Sequence, residues 1–304
     1  IINDVRIHPF PFKTGWIART RFQCLLKSIN ADVYIQQGIS STTKEVAFYC
    51  QWKRSRFIYW IASNRDVDPS IPAGNLKRNK VFEWGMLKAN RIIAQTIWQA
   101  EKLNETYSRP CTVIANGFPP CKTPTDGPRK HILWAGRFIP VKRPELLIKI
   151  ATDIPDEHFI MLAPLTNESA SSHLEEHISH IRGASNIEFH PGVSLKQVEN
   201  YMRSAKLFLN TSKFEGFPNT FVQAMRASTP IASLSFDPDD IIRLNKLGIP
   251  PVDEMNLFIR SIKSLLADPV RLNACGRNVA IHADRHHDLS RNMEQFKQVI
   301  RDIS

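Results

Sequence analysis

Apolar positions in this chain cluster in short runs separated by amphipathic stretches, and the pattern occurs twice. Between about Asn30 and Pro119, short apolar runs alternate with helical stretches: residues 32–35, 44–50 and 57–61 come first. A long amphipathic stretch at 79–90, a run at 91–94, a helix near 97–106 and a run at 111–115 follow. The alternation restarts with strands at 131–135, 159–163, 186–189, 206–209 and 230–234, interleaved with helices at 144–151, 170–181, 195–203 and 219–227. Helices at about 255–266 and 269–284 and an amphipathic segment at 288–303 close the chain. Strand runs alternating with helical stretches predict parallel sheets wrapped by helices, an α/β architecture.

Between the two blocks, residues 116–130 crowd four prolines and two glycines into one polar segment, which is linker chemistry. The expected domains are therefore 1–128 and 129–304, with a closing C-terminal helix from about residue 288. A length of 304 residues agrees with two domains, each able to bury an ordinary core.

Composition narrows the classes. Five cysteines, Cys24, Cys50, Cys111, Cys121 and Cys275, are scattered and form no C-x-x-C pair, which fits a reducing cytoplasm better than a disulfide scaffold. No apolar run approaches the roughly 18 residues of a membrane span. The chain opens at Ile1 without an initiator Met or a targeting segment, so the natural start is expected to be missing. The net charge of +11 is uneven. Residues 1–128 hold 18 Lys+Arg against 9 Asp+Glu, whereas residues 129–304 hold 22 against 20. A one-sided positive field attracts anions: a nucleic acid, an anionic membrane face or a phosphorylated acceptor. No aromatic-basic motif supports nucleic acid as a partner.

Two segments carry candidate chemistry. Ala135-Gly-Arg-Phe-Ile-Pro-Val-Lys-Arg-Pro144 is a glycine-bearing turn directly after a strand, with Arg137 and Lys142 ahead of a helix expected to open at Pro144. In an α/β sheet this is the carboxyl edge, where ligands bind, and two cations beside a helix start suit a diphosphate. Some 70 residues later, Ser212-Lys-Phe-Glu-Gly-Phe-Pro-Asn-Thr-Phe-Val-Gln-Ala-Met225 again reads as strand, tight turn and helix. Gly216 permits close backbone approach, the first-turn amides near Asn219 and Thr220 face an anion, and Glu215 and Gln223 can share one pocket.

Gly136-Arg137…Lys142 together with Glu215-Gly-Phe-Pro-Asn219…Gln223-Ala224-Met225…Pro230 resembles the donor-binding domain of retaining GT-B glycosyltransferases, family 4. The resemblance spans residues 131–290 and, more loosely, 30–118 through Ile93-Ala-Gln-Thr96 and Ile114-Ala-Asn-Gly117. It implies two Rossmann-like domains facing across a cleft and transfer of a sugar from a nucleoside diphosphate to a glycan or glycolipid, without metal or cofactor. Arg137 and Lys142 would hold the diphosphate and stabilise it as it leaves, and Glu215 would hold hydroxyls of the transferred sugar. Gly136, Gly216, Phe217, Asn219 and Thr220 would line the donor site, Gln223 would meet the ribose, and backbone at Pro191, Gly192 and Val193 would meet the base. A cytoplasmic enzyme, peripheral on the inner face of an anionic membrane through its basic first domain, is the expected setting.

Three departures stand out. Gln223 occupies a position where the family usually has glutamate. The segment Ile58-Tyr-Trp-Ile-Ala-Ser-Asn64 lacks a histidine often found there, and the opening strand and glycine-rich loop of the first domain are not evident, so that domain is expected to be incomplete. Asp66-Val-Asp68 is formally a D-x-D metal motif, and His173, His177 and His180 have helical spacing; both are read as non-metal features. His286 and His287 are read as surface residues. A nucleotide-sugar epimerase or phosphorylase on the same plan, and a non-catalytic nucleotide-sugar binder, remain alternatives.

Overall fold

The computed structural model describes residues 6, 8, 16–71, 80–119, 128–164, 172–252 and 254–303, without the side chains of 172–175. It divides into two compact units, Ile1–Ile114 with Phe296–Ser304, and Ala115–Gln295.

In the first unit, strands β1 (Val33–Gln37), β2 (Arg56–Trp60), β3 (Arg91–Ala94) and β4 (Thr112–Val113) form a parallel sheet in sequential order. Helices α1 (Trp16–Ile29), α2 (Thr43–Lys53), α3 (Lys80–Leu87) and α4 (Ile97–Tyr107) alternate with them. Side chains alternate across a strand, so Phe57, Tyr59, Ile92 and Ala94 join one core cluster while Ile58 and Ile93 join another on the opposite face. That opposite face is closed by Ile114 and by Phe296, Val299 and Ile303 from the end of the chain.

In the second unit, β5 (His131–Ala135), β6 (Phe159–Leu162), β7 (Ile187–His190), β8 (Ala205–Asn210), β9 (Ile231–Ser233) and β10 (Gly248–Ile249) form a parallel sheet in the order β10-β9-β8-β5-β6-β7. Its helices are α5 (Glu145–Asp153), α6 (Ser172–Gly183), α7 (Leu195–Ser204), α8 (Asn219–Arg226), α9 (Ile241–Leu244), α10 (Met255–Leu266) and α11 (Pro269–His286); α12 (Leu289–Arg301) begins in this unit. The sheet is buried on both faces, with Ile132, Trp134, Leu207 and Leu209 in one cluster and Leu133 and Phe208 in the other. Both-face burial explains why these strands read as continuous apolar runs. The order reverses between the neighbours β5 and β8, which creates a crevice at their carboxyl ends.

The grouping of the chain's last residues and one short strand differ from the sequence reading, and part of the expected linker is not described. Residues 296–304 group with the first unit rather than the second, because the apolar face of α12 buries Phe296 and Val299 against Ile58 and Ile93. Within the expected linker, 116–119 and 128–130 are described and 120–127, including Cys121, lie outside the described residues. The short edge strand β10 was not anticipated. Gly248 there has φ +153°, and a Cβ would stand 2.0 Å from the Ile231 carbonyl oxygen, so only glycine permits this approach.

Candidate active site

The two chemistry-bearing segments follow β5 and β8, the strands that flank the switch point. After β5, the Gly136 amide donates to the Leu162 carbonyl at 3.0 Å and prolongs the ladder, while the Trp134 ring sits 3.3 Å from where a Gly136 Cβ would be. The chain then makes a 3-10 turn at Pro140–Lys142, and Arg143 takes left-handed backbone (φ 48°, ψ 55°). The helix opens at Glu145 with Pro144 as its N-cap, one residue later than the sequence suggests.

After β8, the Thr211 hydroxyl accepts from Trp134 Nε1 at 2.9 Å and donates to the Lys142 carbonyl at 2.6 Å. The Lys213 amide donates to the Val141 carbonyl at 2.9 Å. The Arg143 guanidinium completes the join, with Nε donating to Thr211 O at 2.6 Å and Nη2 to Ser235 Oγ at 2.6 Å and Ser212 O at 3.3 Å. Burial lowers the pKa of this guanidinium from its ordinary value.

This framework brings together two residues that are 73 positions apart: Lys142 Nζ forms an ion pair with Glu215 Oε1. Both side chains are mostly buried, 18% and 15% exposed, so neither charge would be well tolerated without the other. Arg137, on the same loop, is exposed and has no hydrogen-bond or ion-pair partner for its side chain among the described residues. Two cations and one carboxylate thus gather at the carboxyl edge.

Helix α8 starts after Pro218 with no side-chain cap, which leaves its first-turn amides at Asn219 and Thr220 available. Gly216 and Phe217 are buried in the preceding turn. Gln223 is half-buried one turn along, and its side chain makes no hydrogen bond among the described residues. The Asn219 side chain is not free: its Oδ1 accepts from Asn116 Nδ2 at 2.9 Å, and that amide also reaches Phe217 O at 3.2 Å. Pro191 and Gly192 are exposed on the loop after β7, at the same carboxyl edge but two strands from β5. Val193 packs on the hydrophobic cluster that holds Phe217.

Sequence reasoning missed several supports of this site. Arg143 looks like a second loop cation beside Lys142, and its acceptors come from distant strands. His287, read as a surface residue, is 1% exposed. Its ring lies 4.8 Å from that of Phe217, and its Nδ1 is 2.7 Å from Asn116 O. It ends α11 turned into the molecule, whereas His286 is exposed.

Both carboxylates of the formal D-x-D motif accept hydrogen bonds from neighbouring residues. Asp66 is buried and accepts from Tyr59 Oη at 2.8 Å and from the Ala62 amide at 2.9 Å. Asp68 accepts from the Ser70 amide and hydroxyl. The side chain of His173 lies outside the described residues, and among those described no cluster of three or more His, Cys, Asp or Glu could hold a metal ion. No described helix is long and apolar enough to cross a membrane.

An uncharacterized glycosyltransferase of Methanocaldococcus jannaschii, MJ1178, is 25% identical over 166 residues, which is 54% of this chain and 45% of that protein. The chain thus spans less than half the length of the curated relative it matches. Among solved structures, Anabaena HepE in complex with UDP and glucose superposes with TM-score 0.78 at 14% identity, covering 94% of this chain and 82% of that one. A Staphylococcus aureus TarM mutant in complex with fondaparinux, alpha-GlcNAc-glycerol and UDP gives 0.75 at 18% identity, covering 92% and 58%. At such identity these likenesses establish the fold, which is GT-B with parallel, Rossmann-like sheets. The family model described as Glycosyl transferases group 1 matches residues 121–281, more than half of the chain and both loops of the site, and the chain therefore belongs to that family.

Proposed function

We propose that the second unit binds a nucleoside-diphosphate sugar and that the protein transfers the sugar, with retention of configuration, to a glycan or glycolipid acceptor. The observation that carries this reading is the Lys142–Glu215 pair, held across two loops at the switch point beside exposed Arg137 and an uncapped helix start. Lysine has three donors, so Lys142 can keep Glu215 and still meet phosphate oxygens. Glu215 has a second oxygen for sugar hydroxyls. Arg137 can grip the departing diphosphate with its planar fork, so that electrostatic stabilisation of the leaving group supplies most of the catalysis. The reading requires no metal or cofactor, with the leaving phosphate taking the acceptor proton, and it includes membership of family 4.

UDP is the first nucleotide to test, because it occupies the HepE and TarM relatives. For the acceptor side, the first unit exposes Trp16, Phe48 and Trp52; Phe48 and Trp52 share a groove with Arg19 and Lys44, and Lys53 lies 4.9 Å from the Trp52 ring. Aromatic side chains among cations suit an anionic lipid interface, consistent with a cytoplasmic, peripheral enzyme.

Calorimetry with UDP and GDP, followed by an assay for nucleoside diphosphate released from the sugar donor, tests the reading. Release that depends on an added acceptor supports transfer. Turnover with donor alone would replace transfer by epimerisation, and binding without any turnover would leave a nucleotide-sugar binder.

A further inference from the structure

Arg143 combines two features that rarely coincide. Its backbone is left-handed, a region that disfavours any residue with a Cβ and that glycine enters freely. Its side chain nevertheless donates to three acceptors, Thr211 O, Ser212 O and Ser235 Oγ, none of them charged. The turn would form with less strain if this position were glycine, so the guanidinium contributes something the turn itself does not need. Its acceptors lie in the loops after β8 and β9, and the residue before it is Lys142.

We propose that Arg143 is a positioning residue, a clamp that fixes the loop after β5 against the loop after β8 and so sets the separation of Lys142 and Glu215 for the diphosphate. The inference rests on the reading of Lys142, Glu215 and Arg137 as a donor site. The mechanism is geometric. Arg143 pins the main chain one residue beyond Lys142, and its bonds to Thr211 O and Ser212 O pin the chain four and three residues before Glu215. Thr211, bonded to the Lys142 carbonyl, closes the loop of contacts from the other side. Every donor–acceptor pair in this clamp joins one loop to another, so its loss would loosen the site without opening the core beneath.

Two variants separate the contributions. Arg143→Gly relieves the left-handed backbone and removes the fork; Arg143→Lys keeps the Cβ and the charge but cannot bridge three acceptors. UDP binding by calorimetry, hydrogen exchange of residues 136–143 and 211–217, and the melting midpoint are the readouts. Arg143→Gly should bind UDP about tenfold more weakly, since small displacements of gripping groups are costly. Arg143→Lys should fall between it and the unaltered protein. Exchange should rise in both loops but not in β5 or β8, and the midpoint of Arg143→Gly should stay near that of the unaltered protein. Unchanged UDP affinity in Arg143→Gly would overturn the inference while leaving the donor site standing, as would unchanged exchange in the two loops. Weakened binding that only tracks a fall in melting midpoint would also overturn it, in favour of a merely structural role. An unaltered protein that binds neither UDP nor GDP would instead bring down the donor-site reading, and this inference with it.

Discussion

The rings of Phe217 and His287 lie 4.8 Å apart, tilted by 47°, and join the turn before α8 to the end of α11. Asn116 completes a triangle, taking a hydrogen bond from His287 Nδ1 and giving one to Phe217 O. Burial of the ring favours a neutral imidazole here. Burial pushes the pKa of His287 down to about 4; the hydrogen bond to the Asn116 carbonyl opposes this, while exposed His286 and Arg226, whose Nη2 donates to the His287 carbonyl, add to it. Asp284 and Asp288 engage Arg226. Nε2 of His287 is buried without a hydrogen-bond partner, so a proton there would find no acceptor among the described residues.

Acid should therefore destabilise the second unit before it protonates most carboxylates. Burial also brings His282 and His131 down to about 4. For each, the unfolded chain takes up its proton near pH 6.5 and the folded chain only near pH 4. Stability should be level above about pH 6.5 and fall between about 6.5 and 4, with each histidine withdrawing up to roughly 3 kcal/mol. Denaturant unfolding across this range checks the prediction, and His287→Gln should flatten part of the slope. A stability curve that is level from pH 7 to 4 would refute it.

Arg137→Ala and Lys142→Ala should each lower sugar transfer by roughly two orders of magnitude, about 3 kcal/mol of leaving-group stabilisation. Their effects on folding should differ. Arg137 is exposed and unpaired among the described residues, so its loss should leave the melting midpoint unchanged, whereas Lys142→Ala strands the mostly buried Glu215 carboxylate. Lys142→Ala with Glu215→Gln should regain the midpoint but not the activity. Equal midpoints for the two single variants would show that the ion pair contributes nothing to the fold.

Gln223→Glu should keep or tighten nucleotide binding. The side chain is half-buried without a hydrogen bond of its own, and a carboxylate accepts from ribose hydroxyls more strongly than an amide does. Calorimetry with UDP at fixed ionic strength measures it. A tenfold loss of affinity would mean that position 223 does not meet the ribose.

The parts of this molecule that were legible in sequence are those governed by local periodicity. Strands β5, β6 and β8 are continuous apolar runs because both faces of the sheet are covered, and α7 lies where the helical stretch at 195–203 was read. The two motifs, each following a strand at the switch point, were legible, but the ion pair between Lys142 and Glu215 was not. What stayed hidden depends on distant partners. Arg143 gains its meaning from Thr211, Ser212 and Ser235, and His287 from Phe217 and Asn116. Strand β10 is two residues long and ends at Pro250, with a glycine dictated by the neighbouring Ile231 carbonyl rather than by any repeating pattern.

Phe296→Ala should destabilise the first unit although it lies near the end of the chain. The side chain is 8% exposed, and its ring centroid lies 5.2 Å from that of Trp60. Truncating a buried phenylalanine costs about 3–5 kcal/mol. Amide exchange in β2 and β3 should accelerate more than in β5 and β8. The reverse ranking would place Phe296 in the wrong core.

The division of α12 also sets an order of events during synthesis. A ribosome completes residues 115–295, the whole of the second unit, before it delivers Phe296, Val299 and Ile303. Until then Ile58, Ile93 and Ile114 lack their cover, although they emerged first. Domains made early usually fold early. Here the earlier-made half must wait for the later one with an uncovered apolar face, and chaperone capture of nascent chains should persist until the last turns of α12 leave the exit tunnel.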